Sequence, residues 1–261
     1  MTKRAGDDRP ELKAKAELLE FLRAVGQLSS KSSVTAELIL DNYSARADLA
    51  VCDRGDLHVY EIKTERDTLG RLDRQLEIYA RHADFVTVVA ATRHINAIIS
   101  RVEQHIGIYE MIGFASSDPI RIVREATQSP TFDANALLSL VPAKDLCSRL
   151  EMEGRLRRSE VIAGAAGLSV ETKKRAVLDF FSERYGPNSR ALWRAARRRK
   201  FRSSDLSILR RWRQGTEADE KVHVLHVPPQ VGPRCPDMEV YMHVGKSFGP
   251  MPDDLRALLA G

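Results

Sequence analysis

Glu61 and Lys63 stand two residues apart in LHVYEIK, a stretch of strand length, and Asp48 precedes Glu61 by thirteen residues. On a strand, side chains at i and i+2 leave the same face, so Glu61 and Lys63 project together while Tyr60 and Ile62 point the other way. Charge on a buried strand is expensive unless it is paired or used. Two carboxylates beside a lysine would suit metal-assisted phosphodiester hydrolysis: the acids could hold Mg²⁺ through oxygen, and the lysine could meet the scissile phosphate or orient a water.

The elements around these residues decide whether they meet. VTAELIL, ARADLAV and LHVYEIK read as three consecutive strands separated by turn residues. If Arg54 and Gly55 form a two-residue hairpin loop, Asp53 pairs with Asp56 and Asp48 faces Glu61, about 5.5 Å away at Cβ. A three-residue loop with a bulge would move the partner by one position. Uncompensated, two such carboxylates repel, and a divalent cation would neutralise them. Before the strands, Leu12, Ala16, Leu19 and Leu22 follow Pro10 at helical spacing and stop at Gly26. After them, Leu69, Leu72, Leu76 and Tyr79 mark an amphipathic helix over 68–83, FVTVVAA a strand buried on both faces, INAIISRVEQ a helix and GIYEMI a strand. The order αβββαβαβ predicts an α/β fold with a mixed sheet.

Asp48 followed by Glu61-Ile62-Lys63 resembles the D…(D/E)xK signature of the PD-(D/E)XK, or restriction-endonuclease-like, nuclease superfamily, with Ala47 where that pattern often carries proline. The helix, the three antiparallel strands, the crossover helix and the next strand are similar to its αβββαβ core, over roughly the first 110 residues. The resemblance implies that Asp48 and Glu61 bind Mg²⁺ or Mn²⁺ and that Lys63 assists phosphodiester hydrolysis. Gln75 and Tyr79, four apart on one helix face, resemble the QxxxY element of RecB-like nucleases. That match implies that Gln75 shapes the active site and Tyr79 supports it. Glu37 is a candidate for the extra metal-binding acid of some members. The string EIKTERDTLGRLDRQ is similar to an EIK(S/T)xxDTLxRLxxQ pattern in small bacterial proteins.

The remaining sequence bears on the partner. The formal charge is +5 over 261 residues, but Asp145 to Gln214 holds 18 Lys and Arg against 8 Asp and Glu. A basic, mainly helical region over 129–215, after a nuclease-like domain at 1–128, therefore suits a polyanion: DNA first, RNA as the alternative. Arg66, Arg71 and Arg74 are candidates to line a phosphate path. In EVIAGAAGLSVETKKRAVLDFF, Ala163, Gly167 and Ser169 have the look of a helix-turn-helix that would turn Lys173, Lys174 and Arg175 toward DNA. Arg194, Arg197, Arg198, Arg199, Lys200, Arg210 and Arg211 form a denser cluster, interleaved with Trp193, Phe201 and Trp212 that suit core packing better than base stacking.

Residues 216–261 read as a strand, EKVHVLHV, followed by a Pro- and Gly-rich segment with a short helix at DDLRALLA. His223, His226, Cys235 and His243 lack any familiar zinc spacing, and no GxxxxGK(S/T) loop occurs. With no apolar signal core, no run long enough to span a bilayer and three scattered cysteines, a cytoplasmic protein without membrane contact is expected. A homodimer is compatible with all of this. The competing class is a nucleic-acid-binding or regulatory protein on the same fold with a silent site.

Overall fold

The computed structural model describes residues 9–210 apart from 42, 115, 117 and 155, and the backbone of two short strands near the C-terminus. The chain divides into two compact units, 1–213 and 214–261.

The first unit begins with α1 (Pro10–Ala24), which has proline at its first turn, Glu11 at the positive end and Arg23 at the negative end. Gly26 at φ +75° takes the left-handed conformation that stops it. Then follow β1 (Ser33–Leu40), β2 (Ala45–Asp53), β3 (Asp56–Lys63), α2 (Leu72–His82), β4 (Phe85–Ala91), α3 (Thr92–Ile99), β5 (Gly107–Met111) and β6 (Ile120–Arg124). The six strands lie in sequence order in one mixed sheet. β1, β2 and β3 are antiparallel, β4 and β5 run parallel to β3, and β6 returns antiparallel. The predicted order αβββαβαβ is therefore present, with a sixth strand that the sequence reading missed. IRIVR does alternate, but only Ile120 is buried on this edge, so the strand lacks the apolar weight of its neighbours.

The hairpin fixes the register. Arg54 and Gly55 have φ +50° and +94°, the pairing of left-handed residues that a tight turn of type I′ needs. Asp53 accordingly pairs with Asp56 and Leu49 with Tyr60. The two sheet faces build two cores. Leu57 and Val59 pack with Leu72, Leu76 and Tyr79 of α2, while Tyr60 and Ile62 pack with Leu18, Leu19 and Leu22 of α1.

Short helices α4 (Ala134–Leu138), α5 (Ala143–Arg149) and α6 (Arg158–Gly164) lead into α7 (Val170–Ala195), capped by the Ser169 hydroxyl as expected. α7 is 26 residues long, about 39 Å at 1.5 Å per residue, and it serves both cores. Val177, Phe180 and Phe181 enter the first and Leu192 the second. Its Ser189 hydroxyl accepts the Val34 N–H at 2.7 Å and so covers part of the β1 edge. A 3₁₀ turn at Ser203–Leu206 and α8 (Ser207–Arg210) complete the described part of this unit. The basic helical region is thus not a separate body after residue 128. It shares both cores with the sheet, and the division comes after Arg213.

Three of the basic residues proposed to face nucleic acid are instead used in packing. Lys173 is buried, with its ammonium 3.4 Å from the Ala166 carbonyl. Lys174 reaches across to Asp56 at 2.8 Å and Asp84 at 2.7 Å, and Asp84, fully buried, also accepts the Leu57 N–H. Arg199 grips Asp205 with both guanidinium nitrogens, at 2.6 and 2.8 Å. Ala163 is exposed where a helix-turn-helix would need it close-packed, and Ala165 is the buried alanine. Lys174→Ala is expected to lower unfolding free energy by about 2 kcal/mol, because Asp84 loses its charged partner, and to leave nucleic-acid retardation unchanged. A urea melt and a gel shift on the same preparation check both halves.

Arg175, Arg194, Arg197, Arg198 and Lys200 are exposed. Trp193 meets Phe201 edge to face at 6.4 Å, and Phe201 is buried, in keeping with a packing role. The Arg210 side chain, Arg211, Trp212, the strand expected at 220–227, the helix at 253–260, and the side chains of His223, His226, Cys235 and His243 lie outside the described residues. In the second unit, β7 (Met242–His243) and β8 (Lys246–Ser247) pair antiparallel. Among the described residues no helix is long and apolar enough to cross a membrane.

Candidate active site

The residues singled out on β2, β3 and α2 come together. The ladder between β2 and β3 runs to Leu49 and Tyr60, and one step further the Asp48 carboxylate accepts the Ile62 N–H at 2.8 Å. Glu61 and Lys63 leave β3 side by side, and the Lys63 ammonium lies 2.6 Å from Glu61 Oε1. Gln75, one turn inside α2, donates to the same oxygen at 2.8 Å and accepts from Lys63 at 3.1 Å. Tyr79, a turn further along, donates to Glu61 Oε2 at 2.8 Å and lies 2.9 Å from the Arg46 carbonyl. Burial, with Glu61 next to it, raises the Tyr79 hydroxyl well above the phenolic range, so it stays a donor. Gln75 and Tyr79 thus hold the Glu61 carboxylate in one orientation, as the QxxxY spacing implies.

The connection from β3 to α2 explains part of the EIKTERDTLGRLDRQ string. Asp67 accepts the Thr64 N–H at 2.7 Å and the Thr64 hydroxyl at 2.6 Å, closing a side-chain turn at the strand end. His94 contacts the Thr64 carbonyl at 3.1 Å. Lys63 is therefore the last strand residue before a pinned turn, and Leu72, buried at the start of α2, sets the helix phase that aims Gln75 at it.

A second cluster abuts the first through Asp48. Among the described residues, the acids whose carboxylate oxygens converge within 4.8 Å are Glu11, Glu37 and Asp48. At their centre stands Lys15 of α1, 1% exposed, 2.7 Å from Glu11, 3.3 Å from Asp48 and hydrogen-bonded to Glu37. Burial lowers the Lys15 pKa, but Asp48 and the hydrogen bonds that Lys15 donates to Glu11 and Glu37 outweigh it, so the net shift is upward and the ammonium is retained. Glu37 also pairs with Arg46 at 2.8 Å. Its φ of +59° is rare for a non-glycine residue, and it interrupts the ladder between the pairs Ala36–Leu49 and Leu38–Ala47, opposite Asp48.

Asp48 sits between the two clusters and carries the strain of both. Burial, then the neighbouring Glu61, pushes its carboxyl up from 3.8 to about 6, against the pull of Lys15. Lone-pair counting shows what remains for a cation. A carboxylate offers about four acceptor directions; Glu61 uses three, on Lys63, Gln75 and Tyr79, and Asp48 uses two, on Ile62 and Lys15. An oxygen-ligated divalent ion with most of its shell from water and phosphate fits this set.

Sequence reasoning missed Glu11, Lys15 and Arg46. Lys15 carries a signal in retrospect: it lies on the stripe that continues through Leu18, Leu19 and Leu22, and it stands one turn after Glu11. Arg71 and Arg74 are exposed and, with Arg46 and Gln75, line a groove of about 540 Å³ beside the site. Arg66 is exposed but does not line it.

The bacteriophage P4 protein cII family model matches residues 4–210, which takes in both clusters and the whole of α7. Protein cII of Enterobacteria phage P4 is 28% identical over 205 residues, covering 76% of this chain and 77% of that protein. A solved structure, the SPO1766 protein of unknown function from Silicibacter pomeroyi, is similar at 18% identity and a TM-score of 0.38, over 58% of this chain and 99% of its own. By the extent of the family match, the chain belongs to the bacteriophage P4 protein cII family.

Proposed function

We propose that this protein is a metal-dependent nuclease of the PD-(D/E)XK type that hydrolyses DNA phosphodiester bonds, with a restriction-endonuclease-like core. The observation that carries the reading is the hairpin register: it sets Asp48 against Ile62, next to Glu61, with Lys63 and Gln75 joined to the same carboxylate. Asp48 and Glu61 would hold Mg²⁺, with Mn²⁺ as a substitute. When bound, the cation supplies Lewis-acid neutralisation of charge at the scissile phosphate. Lys63 would contact a phosphate oxygen or orient the attacking water, Gln75 would keep Glu61 and Lys63 in register through its bonds to both, and Tyr79 would fix the far oxygen of Glu61.

A second reading, a nucleic-acid-binding or regulatory protein without cleavage, is favoured by one feature. Lys15 already supplies a cation to the cluster of Glu11, Glu37 and Asp48. The deciding experiment incubates the protein with supercoiled plasmid, linear duplex, single-stranded DNA and RNA, each with Mg²⁺, Mn²⁺ or EDTA. Cleavage of DNA that needs the metal and falls about 100-fold in Lys63→Ala is the expected result. Equal retardation by both proteins with no substrate cut would favour the binding reading, and cleavage of RNA alone would move the substrate class.

A further inference from the structure

The turn between β1 and β2 presents an aromatic side chain that packing does not explain. Tyr43 is 83% exposed and sits at φ +72°, two residues after Asp41 at φ +46°. A bulky residue in the left-handed region costs about 1 kcal/mol or more relative to glycine or asparagine, and this ring recovers little of it by burial. Such strain at an exposed position points to use rather than stability.

Tyr43 lines the same 540 Å³ groove as Arg46, Arg71, Arg74 and Gln75. Arg71 and Arg74 make no ion pair among the described residues, so both guanidinium groups face the groove's solvent without a carboxylate partner. Arg46 is committed in part to Glu37. At the inner wall stands Gln75, which donates to Glu61 and accepts from Lys63, so one lining residue of the groove touches the carboxylate and lysine cluster. An aromatic face at one side, cationic forks at the other and a ligand-sized cleft between them is the chemistry of an unpaired nucleotide. Bases stack on aromatic rings at about 1–3 kcal/mol each, and arginines hold the phosphates. In a duplex the base faces are covered by their neighbours, so only the arginines would act.

We infer that this groove binds single-stranded DNA, with Tyr43 stacking on an unpaired base and Arg71 and Arg74 holding the flanking phosphates as the strand approaches Glu61 and Lys63. The inference deepens the nuclease reading by naming its substrate form, and it rests on that reading only for the direction in which the strand leads.

The test is fluorescence anisotropy in EDTA, where no cutting can occur, with a dye-labelled single strand, the blunt duplex of the same sequence and an RNA of the same sequence. The single strand is expected to bind more tightly than the duplex. Tyr43→Ala should weaken single-strand binding about tenfold and leave duplex binding within about twofold. Tyr43→Phe should bind as wild type. Tyr43→Gly, which relaxes the turn but removes the ring, should behave like Tyr43→Ala and so separate stacking from backbone strain. Arg71→Ala with Arg74→Ala should weaken both DNA forms and reduce the single-strand salt slope by about 1.4. Duplex binding at least as tight as single-strand binding, an equal effect of Tyr43→Ala on both forms, or tighter binding of the RNA would overturn the assignment. Because no catalysis is read, a groove that behaves as expected in a protein that cuts nothing rejects the nuclease reading alone. A metal-dependent nuclease indifferent to Tyr43 rejects the groove alone.

Discussion

Asp48→Asn is expected to give a protein that is more stable at pH 7.5 and, on the nuclease reading proposed above, without DNA cleavage. The Asp48 carboxyl is held at about 6 in the folded chain, against 3.8 ordinarily, by burial and by Glu61. Between those values the folded state binds more protons than the unfolded state, so the Asp48 contribution to stability falls as pH rises from about 4 to about 6 and stays low above that. At 1.36 kcal/mol for each tenfold, the penalty at neutral pH is about 3 kcal/mol. Asparagine can still accept the Ile62 N–H, carries no charge against Glu61, and leaves Lys15 two carboxylates. A gain of about 2 kcal/mol is therefore expected, with the gap to wild type opening between pH 4 and 6.5 and level above. Millimolar Mg²⁺ should raise the wild-type melting temperature and affect the variant much less, since ligands that bind only the folded state stabilise it by mass action. Cleavage should fall by about 10³-fold or more, several kcal/mol of charge stabilisation at the phosphate. Urea titrations across pH and a plasmid assay measure the two effects. A variant no more stable than wild type at pH 7.5 would show that Asp48 is not a carboxylate kept at the expense of stability for function.

The half of the site on β2, β3 and α2 was legible because each step depends on local geometry. A two-residue loop with glycine second sets the hairpin register, alternation puts Glu61 and Lys63 together, and a four-residue helical step puts Gln75 and Tyr79 on one face. The other half was not, since Lys15 and Glu11 reach Asp48 from a helix more than thirty residues earlier in the chain. The same limit accounts for the basic region. A KKR run reads as a solvated face, yet Lys174 is captured by Asp56 and Asp84, which lie 118 and 90 residues away, and neither partner is visible from the run itself. Arg199 differs: its partner Asp205 is only six residues on, but the dense arginine run around it hides which member is used. The composition change near residue 129 records a change of element type, from sheet to helix, and the helices still share the sheet's cores.

Lys15→Met replaces an ammonium by an apolar group of similar length and is expected to destabilise the fold by about 3 kcal/mol at pH 7.5. The Lys15 side chain is 1% exposed and holds three carboxylates that converge within 4.8 Å. Removing one member of a buried ionic cluster leaves the others uncompensated, which costs more than the cluster contributes relative to an apolar replacement of every member. Partial exposure of Glu11 and Glu37 puts the effect at the low end of the usual range. Two further responses separate a lost counter-ion from a packing defect. Lowering the pH toward 5 should recover stability as the Asp48 carboxyl takes up a proton, whereas a cavity or overpacked core would not respond. In the Lys15→Met background Asp48→Asn should gain more than the about 2 kcal/mol it gives alone, bringing the double variant to wild-type stability or above where simple addition leaves it about 1 kcal/mol below, a coupling that groups in direct contact show and distant sites do not. If Lys15→Met melts within about 1 kcal/mol of wild type, or if the double variant is simply the sum of the single ones, Lys15 is not the cation that permits three acids to gather beside the site. Asp48 Oδ1 faces the Lys15 ammonium and Oδ2 accepts the Ile62 N–H, so on the nuclease reading a divalent ion would share this carboxylate with both.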